Sequence, residues 1–175
     1  MPTILTHPAA AIAFRGLRKV PRHVFLLGAL ATVLPDADVT AFAYGIPYAS
    51  TFGHRGFTHS IVFALLSASL LTAASRSRTF ATFAFLFACA MSHPLLDALT
   101  DGGLGIAFFS PFSNHRYFFP WRPIRVSPIG IDIFDARGLQ TLKSEGRWVW
   151  VPAIVVAIVG VGVRRVRERA SSSGG

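Results

Sequence analysis

TFATFAFLFACAMSHPLLDAL, residues 79–99, is an apolar run without a formal charge until Asp97, and it closes on a histidine and an aspartate. Thr79 is a helix N-cap residue type and Gly102 a natural terminator, so the stretch reads as one long apolar helix. Three further uncharged stretches, 24–35, 60–75 and 148–163, share its character, and the second lengthens to 58–75 if weakly polar ends are counted. Each falls near, but not fully at, the roughly 18–20 residues of a self-evident membrane span. A segment at 8–17 is too short to cross and reads as a partial or tilted helix.

What surrounds these stretches favours a membrane over the interior of a soluble helical protein. The chain has 175 residues, 52% of them hydrophobic and 14% charged, which is one domain's length and too apolar for an ordinary soluble one. Its net charge of +9 is gathered in Arg15/Arg18/Lys19/Arg22, Arg76/Arg78 and Arg164/Arg165/Arg167/Arg169, each at the end of an apolar stretch. Clusters so placed signal topology rather than a nucleic-acid face, and no nucleic-acid partner is expected. With all three in the cytoplasm, the chain crosses four times and residues 100–147 lie outside, with Trp148 and Trp150 at the outer interface. The basic residues Arg116, Arg122, Arg125 and Lys143 in that outer segment run against the rule, which long loops obey less strictly.

The expected fold is therefore all-α, a polytopic membrane bundle of about four transmembrane helices. Residues 1–166 form a single domain and 167–175, ending in SSSGG, a disordered tail. The first twenty residues lack the basic start and apolar core of a cleavable signal, so insertion is expected to use internal segments. The lone cysteine, Cys89, excludes an intramolecular disulfide and a cysteine-based zinc site. Any metal must rest on histidine and carboxylate.

Those residues gather at one depth. Asp36 lies 14 positions from Arg22, His59 17 from Arg76, and His93 15 from Arg78. As helix these separations are about 21, 25 and 22 Å, which places all three near the outer edge of a roughly 30 Å apolar core. Ionisable groups at that depth are costly unless paired or metal-bound, and so are functional candidates. His93 and Asp97, spaced i, i+4, share a helix face and can bind one cation, with Pro94 between them as a possible kink. Asp36 and Asp38 follow Leu34-Pro35 and, in an extended turn, would point to the same side. The segment 53–60, GHRGFTHS, supplies His54, Arg55 and His59, with Thr58 as a possible helix cap. His7 stands near the start of the chain, while His115 and Arg116 sit in an aromatic-rich segment that also reads as an interfacial loop. His23 belongs to the basic end and is excluded from the site.

In order along the chain, Thr6-His7, Leu34-Pro35-Asp36-Ala37-Asp38, His54-Arg55-Gly56-Phe57-Thr58-His59-Ser60 and His93-Pro94-Leu95-Leu96-Asp97-Ala98-Leu99-Thr100 resemble the YdjM-like, LexA-binding inner-membrane proteins of bacteria, regarded as metal-dependent hydrolases. The resemblance covers residues 6–120. That family is in turn similar to the zinc-dependent phospholipase C and nuclease superfamily, helical enzymes with multi-metal sites. The resemblance implies that His59, His93 and Asp97, with Asp36 or Asp38, surround one metal, and that His7 helps bind a second bridged by Asp97. The superfamily's downstream histidine–acid pair has no counterpart, so one or two ions are expected rather than three.

The function expected from these residues is metal-dependent hydrolysis of a phosphoester or lipid-linked substrate. Asp36, Asp38, His54 and Arg55 are candidates for catalysis, and Arg55, His115 and Arg116 for contact with substrate. The cofactor is a divalent cation: zinc suits the nitrogen and oxygen ligands, with manganese or iron as alternatives. The partners are the bilayer of the inner membrane and an amphiphilic substrate, met on the non-cytoplasmic side. The competing reading is a non-enzymatic membrane protein, either a metal or proton transporter or a scaffold for a regulator; a soluble nuclease is the third.

Overall fold

The computed structural model describes residues 1–127 and 136–173. Its α-helices are α1 (Pro8–Leu17), α2 (Arg22–Val33), α3 (Ile61–Ala74), α4 (Phe80–Ala98), α5 (Ala136–Glu145) and α6 (Val151–Ser173). Among the described residues there is no strand, only isolated bridges between Thr100 and Ile124 and between Ile106 and Tyr117. The chain is all-helical. Three stretches are long and apolar enough to cross a membrane: Arg22–Tyr44, Phe80–Ala98 and Gly138–Ser172. α3, with 14 residues, is a shorter apolar helix of about 21 Å. The arrangement is that of a helical membrane bundle.

Pro35 explains the first departure from regularity. Lacking an N–H, it cannot bond back to the preceding turn, and at this point the α2 helix gives way to a 3-10 helix over Leu34–Tyr44. Gly45, in the left-handed region at φ +69°, ends it. α4 begins as expected, with the Thr79 side chain accepting from the Thr82 N–H at 3.2 Å, and it runs through Pro94 to Ala98, short of Gly102. α3 begins later than expected. Ser60 caps it by accepting from Phe63 N–H, because Thr58 donates its hydroxyl to Asp38 instead.

The core is apolar and small-residued. Val24, Ala31, Ala64, Ala68, Leu86, Cys89 and Ala90 pack where α2, α3 and α4 meet. α1 lies against α6, and its buried face is Ala9, Ala11, Ala13 and Gly16. A β-carbon on Gly16 would run into the backbone of Ala157, and one on Gly160 into the backbone of Gly16 itself. Small residues let two helix backbones approach in lipid, where apolar burial alone gives no drive to associate. α6 is the most lipid-facing span, its apolar window 17% buried against 44 and 50% for the other two.

One expectation near this helix is corrected. Residues 167–173, read as the start of a disordered tail, continue α6 to Ser173, since a long helix propagates at one bond per residue once nucleated; 174–175 lie outside the described residues. Trp150 is half-buried and donates its indole N–H to Thr6 at 3.1 Å. Trp148 packs edge-on against Trp121, with ring centres 5.0 Å apart.

Candidate metal centre

Four elements converge on one buried point. His7 immediately precedes α1, Asp36 and Asp38 ride the 3-10 helix, His59 ends the short turn before α3, and His93 and Asp97 lie one turn apart on α4. His7, His59, His93, Asp97 and Arg55 are all fully buried. His93 and Asp97 do share a face, as their spacing predicts.

Asp36 and Asp38 do not point the same way. A 3-10 helix advances about 120° per residue, so positions i and i+2 diverge. Asp36 turns toward His93, with Oδ1 3.3 Å from Nε2. Asp38 turns toward the neighbouring turn, with Oδ1 2.6 Å from His54 Nδ1 and Oδ2 3.2 Å from His59 Nδ1. It also accepts from Thr58 Oγ1 and from the Arg55 backbone N–H.

These contacts assign the imidazole protons. A carboxylate only accepts, so the nitrogens of His54 and His59 facing Asp38 carry hydrogen, and in the neutral ring Nε2 is the lone-pair nitrogen; burial lowers the His59 pKa, but its contacts with Asp38 and Asp97 outweigh that and raise it to about 9. His93 Nδ1 lies 2.7 Å from the Thr32 carbonyl, which likewise only accepts, and its Nε2 is therefore also a lone pair. The Nε2 atoms of His59 and His93 face one another across 3.0 Å. Nitrogens so placed share either a proton, carried by one ring and accepted by the other, or a metal cation that takes the proton's place.

The rest of the geometry suits the cation. Four ligands at zinc's bond lengths of 2.0–2.1 Å sit about 3.3 Å from one another on a tetrahedron. His59 Nε2 is 3.5 Å from Asp97 Oδ2 and 3.8 Å from Asp36 Oδ1. His7 Nε2 is 3.7 Å from Asp97 Oδ1 and 4.0 Å from Asp36 Oδ2, so both carboxylates turn their second oxygen toward it. His7 stacks on His93 at 3.8 Å, and burial first, then His93, push its pKa down to about 3, which keeps it in the neutral, ligating form. Grouped by ligand atoms within 4.8 Å of one another, two sets can hold an ion: His7, His93 and Asp97, and Asp36, His54 and His59.

Both oxygens of Asp36, both of Asp97 and both ring nitrogens of His7 are buried without a hydrogen-bond partner among the described residues. Each such orphan costs about 1–3 kcal/mol, and more when charged. The positive groups nearest the three carboxylates are the Arg55 guanidinium and the Met1 amino group, both of which act on Asp97. The donor set fits a divalent cation.

Arg55, expected at the substrate, has its nitrogens turned to protein: Nε is 3.2 Å from Asp97 Oδ2, one terminal nitrogen donates to the Gly102 carbonyl at 2.8 Å and the other to Thr100 Oγ1 at 3.1 Å. Its backbone is left-handed, φ +62°, a conformation held by bonds at both its N–H and its C=O. Arg116 clamps the same loop, donating to the carbonyls of Tyr48, Ser50 and His54. His115 is exposed and rests against Tyr117.

Sequence reasoning missed Glu145. Fully buried at the end of α5, it accepts from the backbone N–H and hydroxyl of Thr3 and, at 2.6 Å, from the hydroxyl of Thr6. It thereby fixes the segment that delivers His7. Its only advance signal is chemical: it is one of two glutamates in the chain, set just before an apolar span.

No solved structure matches the chain. A curated relative, inner membrane protein YbcI of Escherichia coli (strain K12), is 37% identical over 164 residues, covering 89% of this chain and 95% of that protein. The family described as YdjM inner membrane protein matches residues 1–169, and the chain belongs to it.

Proposed function

We propose that this inner-membrane protein is a metal-dependent hydrolase whose centre is built by Asp36, His59, His93 and Asp97, with His7 and the second oxygens of Asp36 and Asp97 offering a place for another ion. The observation that carries this reading is the pair of Nε2 atoms of His59 and His93 facing each other at 3.0 Å among carboxylate oxygens that have no hydrogen bond. A divalent cation there, zinc by ligand type or else manganese or iron, would supply Lewis acidity and a water acidified toward neutral pH.

The chain's residues do the remaining work. Asp38 holds the protons of His54 and His59 on their outer nitrogens, and the Thr32 carbonyl does the same for His93. Arg55 holds Asp97 and offsets part of the negative charge. His54, whose inner nitrogen stays free of a proton, is the residue suited to accept one from a reacting group. The resemblance to phospholipase C-type enzymes and the membrane setting support a phosphoester or lipid-linked substrate. The basic clusters at the opposite helix ends support a site on the non-cytoplasmic side.

A scaffold or transport role is the second reading, favoured by the complete burial of the ligands, four of which would close a tetrahedral shell around a structural ion. Elemental analysis of the purified protein, paired with turnover of phosphoester and carboxylic ester substrates, separates the two. Stoichiometric metal with turnover that Asp97→Asn abolishes supports the hydrolase. Stoichiometric metal with no turnover of any ester supports the scaffold, and no metal removes the basis of both.

A further inference from the structure

The second concentration of unpartnered charge lies at the other end of the bundle. A cavity of about 330 Å³ opens between α1 and α6 and is lined by Arg15, Lys19, Arg164, Arg165 and Glu168. Arg164 lies 14 residues beyond Trp150, about 21 Å along the helix from the end that touches Thr6 beside His7. Nε and one terminal nitrogen of Arg164 are buried without a hydrogen-bond partner among the described residues, although Glu168 lines the same cavity. Arg15 is held by its guanidinium over the Phe25 ring at 4.5 Å. The approach of Gly16 to Ala157 and of Gly160 to Gly16 fixes the two walls one turn away.

We infer that this cleft binds the phosphate of an anionic phospholipid headgroup. Four cationic side chains facing one carboxylate need an anion. A guanidinium with open, desolvated N–H groups is the donor that phosphate oxygens accept from best. The source is lipid because the same helices present bare apolar side chains beside the cleft. Leu17 is 53% exposed, Val159 57% and Val163 45%, surface on which acyl chains lie once the headgroup is seated. Basic pockets between spans at the cytoplasmic surface bind anionic headgroups by this combination.

The test uses the full chain in phosphatidylcholine nanodiscs titrated with phosphatidylglycerol, bound lipid being counted by native mass spectrometry. Each basic residue lining the cleft contributes roughly 5-fold to a lipid seated there, so Lys19→Gln with Arg164→Gln should lower phosphatidylglycerol retention by about 25-fold. Arg76→Gln with Arg78→Gln removes as much charge at the α3–α4 turn, outside the cleft, and should change retention less than about 2-fold. Should the cleft pair fail to fold, as judged by its helical circular dichroism, Arg165→Gln on the exposed rim should still cost roughly 5-fold. The inference is overturned if phosphatidylcholine is retained as well as phosphatidylglycerol, or if both variant pairs weaken binding equally. It is overturned too if millimolar inorganic phosphate displaces the lipid, which would mark a free-anion site. Metal content is unaffected in every arm.

Discussion

Asp38→Asn changes one atom and should loosen two histidines at once. Asp38 Oδ1 accepts from His54 at 2.6 Å, while Oδ2 accepts from Thr58, from the Arg55 N–H and, at 3.2 Å, from His59. Asparagine keeps the shape but turns one oxygen into an N–H₂ donor, so one side must meet donor against donor. With the amide nitrogen toward His59, that ring relieves the clash by moving its proton to Nε2, where it faces His93 at 3.0 Å and leaves no lone pair for a cation. With it toward His54, the same shift occupies the nitrogen proposed to accept a proton. Losing an outer partner of a metal-bound histidine costs about 10- to 100-fold in metal affinity, or roughly 1.4–2.7 kcal/mol. Asp36 presents its oxygens directly to His93 and His7, so Asp36→Asn should lower the amount of metal bound. Competition with a chromogenic chelator in detergent measures both affinity and stoichiometry. The expected result is Asp38→Asn with full stoichiometry and weakened affinity, beside Asp36→Asn with reduced stoichiometry. If Asp36→Asn holds metal as tightly as the wild type while Asp38→Asn holds none, the division of labour along the 3-10 helix is refuted.

Three further outcomes are expected. Glu145→Gln loses the carboxylate that accepts from Thr3 and Thr6; it should lower the occupancy of the ion at His7 while leaving the one at His59 and His93, read as a fall from two ions toward one by elemental analysis. His59→Ala and His93→Ala should each lower bound metal by far more than 100-fold, whereas His23→Ala, beside Arg22 at the basic end, should leave content unchanged. Gly160→Val puts a side chain into the backbone of Gly16 and should destabilise by about 1–3 kcal/mol or more, seen as a lower melting temperature in detergent; an unchanged melting temperature would mean that α1 does not pack on α6.

The parts of this fold that could be read in advance are those governed by local rules. Apolar runs bounded by arginines gave three spans and a shorter helix at nearly the right places, because transfer to lipid is a sum over neighbouring side chains. His93 and Asp97 were legible for the same reason, their pairing being set by one helical turn that Pro94 does not interrupt. Asp36 and Asp38 were legible as a pair with two roles, but not as to which residue takes which. Choosing between them depends on whether the chain after Pro35 is extended or 3-10, and Pro35 is compatible with either.

What was not legible is what long-range contact decides. Glu145 meets Thr6 across 139 residues, and no spacing rule connects them. Arg55 reads as a free cation in GHRGFTHS, and its left-handed backbone and clamp on Asp97 exist only once residues 100–107 fold over it. A buried carboxylate is tolerable only when something holds it, and this chain uses two different means. Asp38 and Glu145 are saturated with hydrogen bonds from protein and serve to hold other groups still. Asp36 and Asp97 are left without a hydrogen bond at the same depth; Asp97 has the Arg55 guanidinium 3.2 Å from one oxygen, whereas Asp36 has only histidines near it and its burial would be offset by a cation. That contrast between satisfied and unsatisfied acids, rather than the count of histidines, is what makes this buried cluster a candidate metal centre.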